Sequence, residues 1–176
     1  MIMERKWSMP NGKTFTIKPI RELIESELVE GIVIDPFANE ASIKKVMSDK
    51  QKYITNDLDT SYKTNYHLDA LDFFKQFDNE SVDMVLYDPP YSPRQVSEVY
   101  KSLDKTVNMQ TTQSSYWGNQ KKEIARILKP NGKVITFGWN SGGIGKTHGF
   151  EISTMLLVAH GGWHNDTICT VEIKKT

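Results

Sequence analysis

Two short apolar runs, each stopped by an Asp-Pro step, limit the fold of this chain more than any other feature. Ile32-Val33-Ile34 ends in Asp35-Pro36, and Val82 to Tyr87 ends in Asp88-Pro89-Pro90-Tyr91. Apolar runs this short suit strands buried on both faces, as in a parallel sheet. Proline then removes a ladder donor and bars helix, so the chain must leave the sheet abruptly.

The residues between and around these runs alternate in kind. Pro19 is followed by Ile20, Leu23, Ile24 and Leu28 at helical spacing, with Gly31 beyond the end. Residues 40–48 read as a helix, Tyr53-Ile54-Thr55 as a second strand ending near Asp57, and Ala70 to Phe77 as a short helix. Lys121 to Leu128 predicts a helix closed by Pro130-Asn131-Gly132, and Lys133 to Gly138 another strand. Thr154 to Ala159 and Thr167 to Ile173 flank Gly161-Gly162 and predict a terminal hairpin. Together they predict an α/β fold: a doubly wound, mostly parallel sheet with a C-terminal antiparallel hairpin, in one domain spanning 1–176. The roughly eight residues between Asp57 and Tyr66 are too few for a helical crossover, so that link is expected to shrink to a turn or to lie elsewhere.

Charge narrows the function. The 22 Lys and Arg balance 22 Asp and Glu, which argues against holding nucleic acid by charge alone. The distribution is uneven, with 11 acidic and 6 basic residues over 35–91 but 3 acidic and 9 basic over 92–148. The second half could meet a polyanion, although for charge asymmetry alone a solvated surface is the favoured account. The chain has one cysteine, Cys169, set in a strand-like run, and packing is the plainer role for it. Lacking an apolar stretch for a leader or a membrane span, the chain is expected to be cytoplasmic.

Asp88-Pro89-Pro90-Tyr91 carries the strongest chemical signal, because ligands bind beyond the carboxyl ends of strands in open α/β sheets. A stiff turn there presents an acid, a carbonyl and an aromatic ring with little freedom. Asp88 and the carbonyl of Pro89 suit the two protons of an exocyclic amino group, and Tyr91 suits stacking on an extruded base. Acceptors that favour a pyramidal nitrogen free its lone pair to attack a methyl sulfonium. A sharp turn with an N-capping Asp and a packed tyrosine would explain such a tetrapeptide elsewhere in a chain, but its place directly after a buried strand favours function.

With these residues the chain resembles the S-adenosylmethionine-dependent N6-adenine DNA methyltransferases, and most closely their small phage and prophage versions. The resemblance implies a Rossmann-like methyltransferase fold, S-adenosylmethionine as cofactor, and adenine in DNA, single-stranded or extruded, as substrate. It implies catalytic roles for Asp88, Pro89, Pro90 and Tyr91. It makes Asp35, Pro36, Phe37 and Ala38 the first cofactor motif, Asp57 the ribose acceptor, and Asp69 with Ala70 the segment facing the cofactor's adenine. Phe15 to Ile20, with Lys18 and Pro19, is similar to the family's amino-terminal cofactor element. No metal is implied.

The chain departs from the family in two ways. The cofactor motif usually continues with Gly-x-Gly, whereas here it reads Asn39-Glu40-Ala41; Asn tolerates a left-handed backbone and Ala is small, so the loop is expected to form. There is also no separate target-recognition domain, leaving residues 92–120 to contact DNA, with Ser92, Arg94, Tyr100, Lys101, Lys105, Tyr116 and Trp117 as candidates. An amphipathic cover over the sheet explains that segment equally well. Either a short, relaxed target context is expected, or a second copy or partner subunit that supplies what the segment lacks. Trp139 and Lys146 bracket a glycine-rich loop, 140–147, expected at the edge of the target pocket. The loop ends in Gly-Lys-Thr but lacks the first glycine of a phosphate loop. His160, His164 and Asp166 read as hairpin residues rather than metal ligands. An RNA or protein N-methyltransferase, or a cofactor-binding protein without catalysis, are the competing functions.

Overall fold

The computed structural model describes residues 1–107 and 114–176. Seven strands form one sheet: β1 (Ile2–Trp7), β2 (Gly31–Asp35), β3 (Gln51–Thr55), β4 (Val82–Tyr87), β5 (Leu128–Gly138), β6 (Phe150–Ala159) and β7 (Thr167–Lys174). Their order is β1-β6-β7-β5-β4-β2-β3. β3, β2, β4 and β5 run parallel, β7 lies antiparallel between β5 and β6, and β1 runs parallel to β6. This is the expected Rossmann-like sheet with its terminal hairpin.

The strands form because both of their faces are covered. Along β4, Met84 and Leu86 face one apolar cluster, with Ile20 and Ile24 of α1 (Lys18–Glu27). Val85 and Tyr87 face the opposite one, with Phe73 and Phe74 of α2 (Ala70–Phe74) and Ile124 and Ile127 of α4 (Ser114–Ile127). All four β4 side chains are buried, as the period of two demands when helices lie on both sides. From β2 the chain winds outward to β3, then crosses back to β4 on β2's other side. The carboxyl ends of β2 and β4 therefore flank the topological switch point, where a crevice must open.

Several expectations need correction. β1 has no sequence signature, since all six of its residues are exposed and no face alternates. Residues 40–48 form a 3-10 turn over Ser42–Val46, not a helix, because Ala41 enters it with a left-handed φ of 51°. Helix α4 is already present at Ser114, seven residues before Lys121. Pro130-Asn131-Gly132 lies within β5, where the register against β4 shifts. The short link after Asp57 is indeed a turn, and Tyr66 makes only an isolated bridge to Asn56.

Candidate active site

A cleft of about 810 Å³ opens at the switch point, lined by both loops that follow the Asp-Pro steps. Pro36, Phe37, Asp57, Asp69, Ala70, Asp88, Pro89, Pro90, Tyr91 and Trp139 all border it. Ten residues singled out in segments scattered along the sequence thus border one cavity.

The turn after β4 is held from three directions. Trp117 donates its indole N–H to the carbonyl of Pro90 at 3.0 Å, and the Tyr91 amide donates to Gln95 Oε1 at 2.6 Å. Gln95 belongs to α3 (Pro93–Ser102), whose N-cap is Ser92. The Tyr91 hydroxyl donates to Asp88 Oδ1 at 2.6 Å. Its ring meets Trp139 edge-on, with centroids 5.3 Å apart. Asp88 is half-buried, and burial pushes its carboxyl up to about 6, while the hydrogen bond from the Tyr91 hydroxyl and the nearby Thr14 hydroxyl hold it down. At neutral pH Asp88 is therefore mainly an ionised acceptor at the wall of a partly dry cleft. The engaged Tyr91 hydroxyl was not foreseen, because the sequence suggests a use only for the ring.

The loop after β2 has the shape that glycines usually provide. Asn39 and Ala41 have φ of 47° and 51°. The Asn39 amide donates to Asp57 Oδ2 at 2.9 Å, and the Ala38 amide donates to the carbonyl of Asn56 at 2.9 Å. Asp57 Oδ1 accepts from the Asp59 amide. Each oxygen keeps a second lone pair, so a ribose diol still has acceptors there. Burial raises the Asp57 carboxyl above its usual range. Asn56, buried beneath, donates to the carbonyls of Pro36 and Leu68 and accepts from the Leu68 amide. Asp69 caps α2 by accepting from Leu71, and it also accepts from the Tyr100 hydroxyl.

Other candidates lie elsewhere. Asp35 is fully buried behind the loop, not on the cleft wall, accepting from the Tyr53 hydroxyl at 2.7 Å and from the Phe37 amide. Burial pushes its carboxyl up to about 7. Ala38 is buried and borders only a minor pocket beside the cleft. Lys18 is exposed at the start of α1 and pairs with Glu22, and Pro19 is packed in the core. The amino-terminal contribution to the cleft comes instead from Asn11, Gly12, Thr14 and Ile17, in a segment with no distinctive spacing. Ser92 and Arg94 are off the cleft wall, the first as a cap and the second paired with Glu98. Tyr100 and Tyr116 are buried with Val96 under α3 and α4, so the amphipathic-cover account holds for them. Both still reach the cleft wall. Lys101 and Lys105 are exposed, and residues 108–113 of the proposed DNA-contacting segment lie outside the described residues.

The glycine-rich loop cannot cradle a phosphate. Glu172, fully buried, accepts from the Ile144 and Gly145 amides at 2.7 and 2.9 Å, so these N–H groups point inward. Gly143 has φ +53°, and a Cβ there would come within 2.3 Å of the Glu172 carboxylate. Of this loop's flanks, Trp139 borders the cleft and Lys146 does not. The His160 ring lies against the carbonyl of Ser8 and the Thr167 hydroxyl. Among the described residues, no group of three or more His, Cys, Asp or Glu is placed to hold a metal, and no helix is long and apolar enough to cross a membrane. Cys169 is fully buried, and that burial pushes its thiol up.

No protein-family model and no curated protein sequence matches the chain. Solved structures do. The 1,6-didemethyltoxoflavin-N1-methyltransferase of Burkholderia thailandensis, determined with 1,6-didemethyltoxoflavin and S-adenosylhomocysteine bound, superposes with a TM-score of 0.60 at 10% identity, over 90% of this chain and 78% of that one. TrmN from Thermus thermophilus gives 0.57 at 16% identity over 90% of this chain, which spans about half (49%) of TrmN. The Escherichia coli protein yhhF, assigned to the methyltransferases, gives 0.61 at 11% identity, over 95% and 90% of the two chains. The fold is the Rossmann-like fold of S-adenosylmethionine-dependent methyltransferases.

Proposed function

We propose that this chain transfers a methyl group from S-adenosylmethionine to the N6 amino group of adenine in DNA. The observation that carries this reading is Asp88, an acceptor at the mouth of β4 in a cleft that also holds Tyr91, Asp57 and Asp69. The cofactor site is supported by the left-handed Asn39 and Ala41, which give the loop the curvature of the usual glycines. It is also supported by fold neighbours, one of them determined with S-adenosylhomocysteine bound. When bound, the cofactor supplies an electrophilic methyl on sulfonium.

This chain's residues supply position and polarity. Asp88 accepts a hydrogen bond from the substrate amino group and draws its nitrogen toward a pyramidal shape, exposing the lone pair. The Pro89 carbonyl accepts a hydrogen bond from the second amino N–H, and the proton that the nitrogen sheds once methylated leaves by way of the Asp88 carboxylate to solvent. Trp117 and Gln95 brace the turn that carries these acceptors, and the Tyr91 hydroxyl holds Asp88, so little reorganisation is needed as charge develops. Asp57 and Asp69 hold the ribose and the adenine of the cofactor. Trp139 and Tyr91 form an aromatic wall for the target base.

The test uses labelled S-adenosylmethionine with DNA, RNA and protein, followed by nucleoside analysis. N6-methyladenine from DNA is expected, and Asp88→Ala is expected to abolish it while leaving cofactor binding by calorimetry nearly unchanged. Label confined to RNA, protein or N4-methylcytosine refutes the substrate. Calorimetric silence refutes the cofactor.

A further inference from the structure

The geometry points to β1 as the seam of a homodimer, in which two copies of this chain join their sheets edge to edge. Among the described residues β1 is the outermost strand and bonds only to β6, and every residue from Ile2 to Trp7 is exposed. Charges on an edge strand ordinarily discourage pairing. Here the two on one sheet face, Glu4 and Lys6, are opposite in sign, which leaves one pairing open to a second copy.

The available register follows from which groups are free. Ser8 donates its amide to the Ala159 carbonyl of β6, so even-numbered residues of this parallel strand turn their main-chain groups inward. Met3, Arg5 and Trp7 consequently present N–H and C=O groups to the open edge. An antiparallel copy related by a two-fold axis must pair odd residues with odd ones. Centring the axis on Arg5 sets Met3 opposite Trp7 of the second copy, and Glu4 opposite its Lys6, each twice. About six main-chain hydrogen bonds close the seam. On one sheet face Glu4 and Lys6, already 3.4 Å apart within a strand, form an alternating quartet with their counterparts. On the other face Met3 and Trp7, 69% and 63% exposed, cover each other. A shift one way sets Glu4 against Glu4, and the other way Lys6 against Lys6, in the close non-hydrogen-bonded position where like charges cost most. In the favoured register the one like pair is Arg5 with Arg5, at the wider position. There the long side chains diverge toward the diagonal Trp7 rings.

Sedimentation equilibrium on the full chain tests this. The wild type is expected to be a dimer in the micromolar range. Arg5→Pro removes an outward N–H without touching the β6 ladder, so it is expected to yield single chains with an unchanged melting profile. Glu4→Lys and Lys6→Glu are each expected to be monomeric alone, to form a mixed dimer when combined, and the double exchange to restore the homodimer. Single-chain mass for the wild type up to ~100 μM, where a Kd of that size would show, overturns the proposal. So does a dimer indifferent to Arg5→Pro and to both charge reversals.

Discussion

Replacing Tyr91 with Phe separates the tyrosine's ring from its hydroxyl, and the structure says what the hydroxyl is worth. It donates to Asp88 Oδ1 at 2.6 Å and, with the nearby Thr14 hydroxyl, holds the Asp88 carboxyl down near 6 against burial. A hydrogen bond to a charged group contributes about 1.5–3 kcal/mol. Discounting for the half-exposed site leaves about one pKa unit at ~1.4 kcal/mol per unit. If ionised Asp88 is the acceptor for the substrate amino group, the acid limb of kcat/KM should lie near pH 6 in the wild type. In Tyr91→Phe it should move up by about one unit. Activity would then fall roughly fivefold at pH 6, about twofold at pH 7, and hardly at all above about pH 8. Tyr91→Ala also removes the ring and should lose activity at every pH. The assay is single-turnover methyl transfer from pH 5 to 9. A Tyr91→Phe profile that falls uniformly, or does not move, refutes the assignment of Asp88 as the titrating acceptor.

Asp35 gives a stability prediction with a definite sign. Its folded carboxyl, raised to about 7 from 3.8, favours the native state below pH 4, and that contribution is lost as pH rises to 7, on the order of a few kcal/mol. Asp35→Asn should therefore flatten the decline of Tm between pH 4 and 7; an unchanged slope counts against the buried-acid account. Ala41→Gly relieves a left-handed alanine and should raise stability by up to about 1 kcal/mol in urea unfolding, with S-adenosylmethionine affinity retained or improved. A destabilised variant means that the loop does not hold this backbone.

Legibility in the sequence followed burial. Val33, Ile34, Val85 and Leu86 announced their strands because a central strand covered by helices must be apolar on both sides. β1 was silent because an exposed edge makes no such demand of Glu4, Arg5 or Lys6. In the cleft, position along the chain located the carboxyl ends of β2 and β4, and hence Asp88. It could not tell which way a carboxylate turns. Asp35 and Asp88 both follow a strand and precede a proline, yet Asp35 turns back to Tyr53 while Asp88 borders the cavity. The left-handed backbone of Asn39 was readable from residue chemistry, whereas that of Ala41 was not, since alanine has no special tolerance for it. Thr14, Trp117 and Gln95 were not assigned as supports for Asp88 or its turn, because they approach from other elements, with no local spacing to mark them.

Asn56 gives the cofactor side of the cleft a single pin. Its side chain spans the carbonyl of Pro36 and both main-chain groups of Leu68, while its own carbonyl receives the Ala38 amide. The loop after β2 and the approach to α2 are thus one cooperative opening unit, although about thirty residues of chain separate them. In hydrogen exchange, the amides of Ala38 and Leu68 should report the same opening event. A ligand touching only the first loop would slow exchange in the second, so occupancy by ribose at Asp57 would be felt at Asp69 without either side chain having to move.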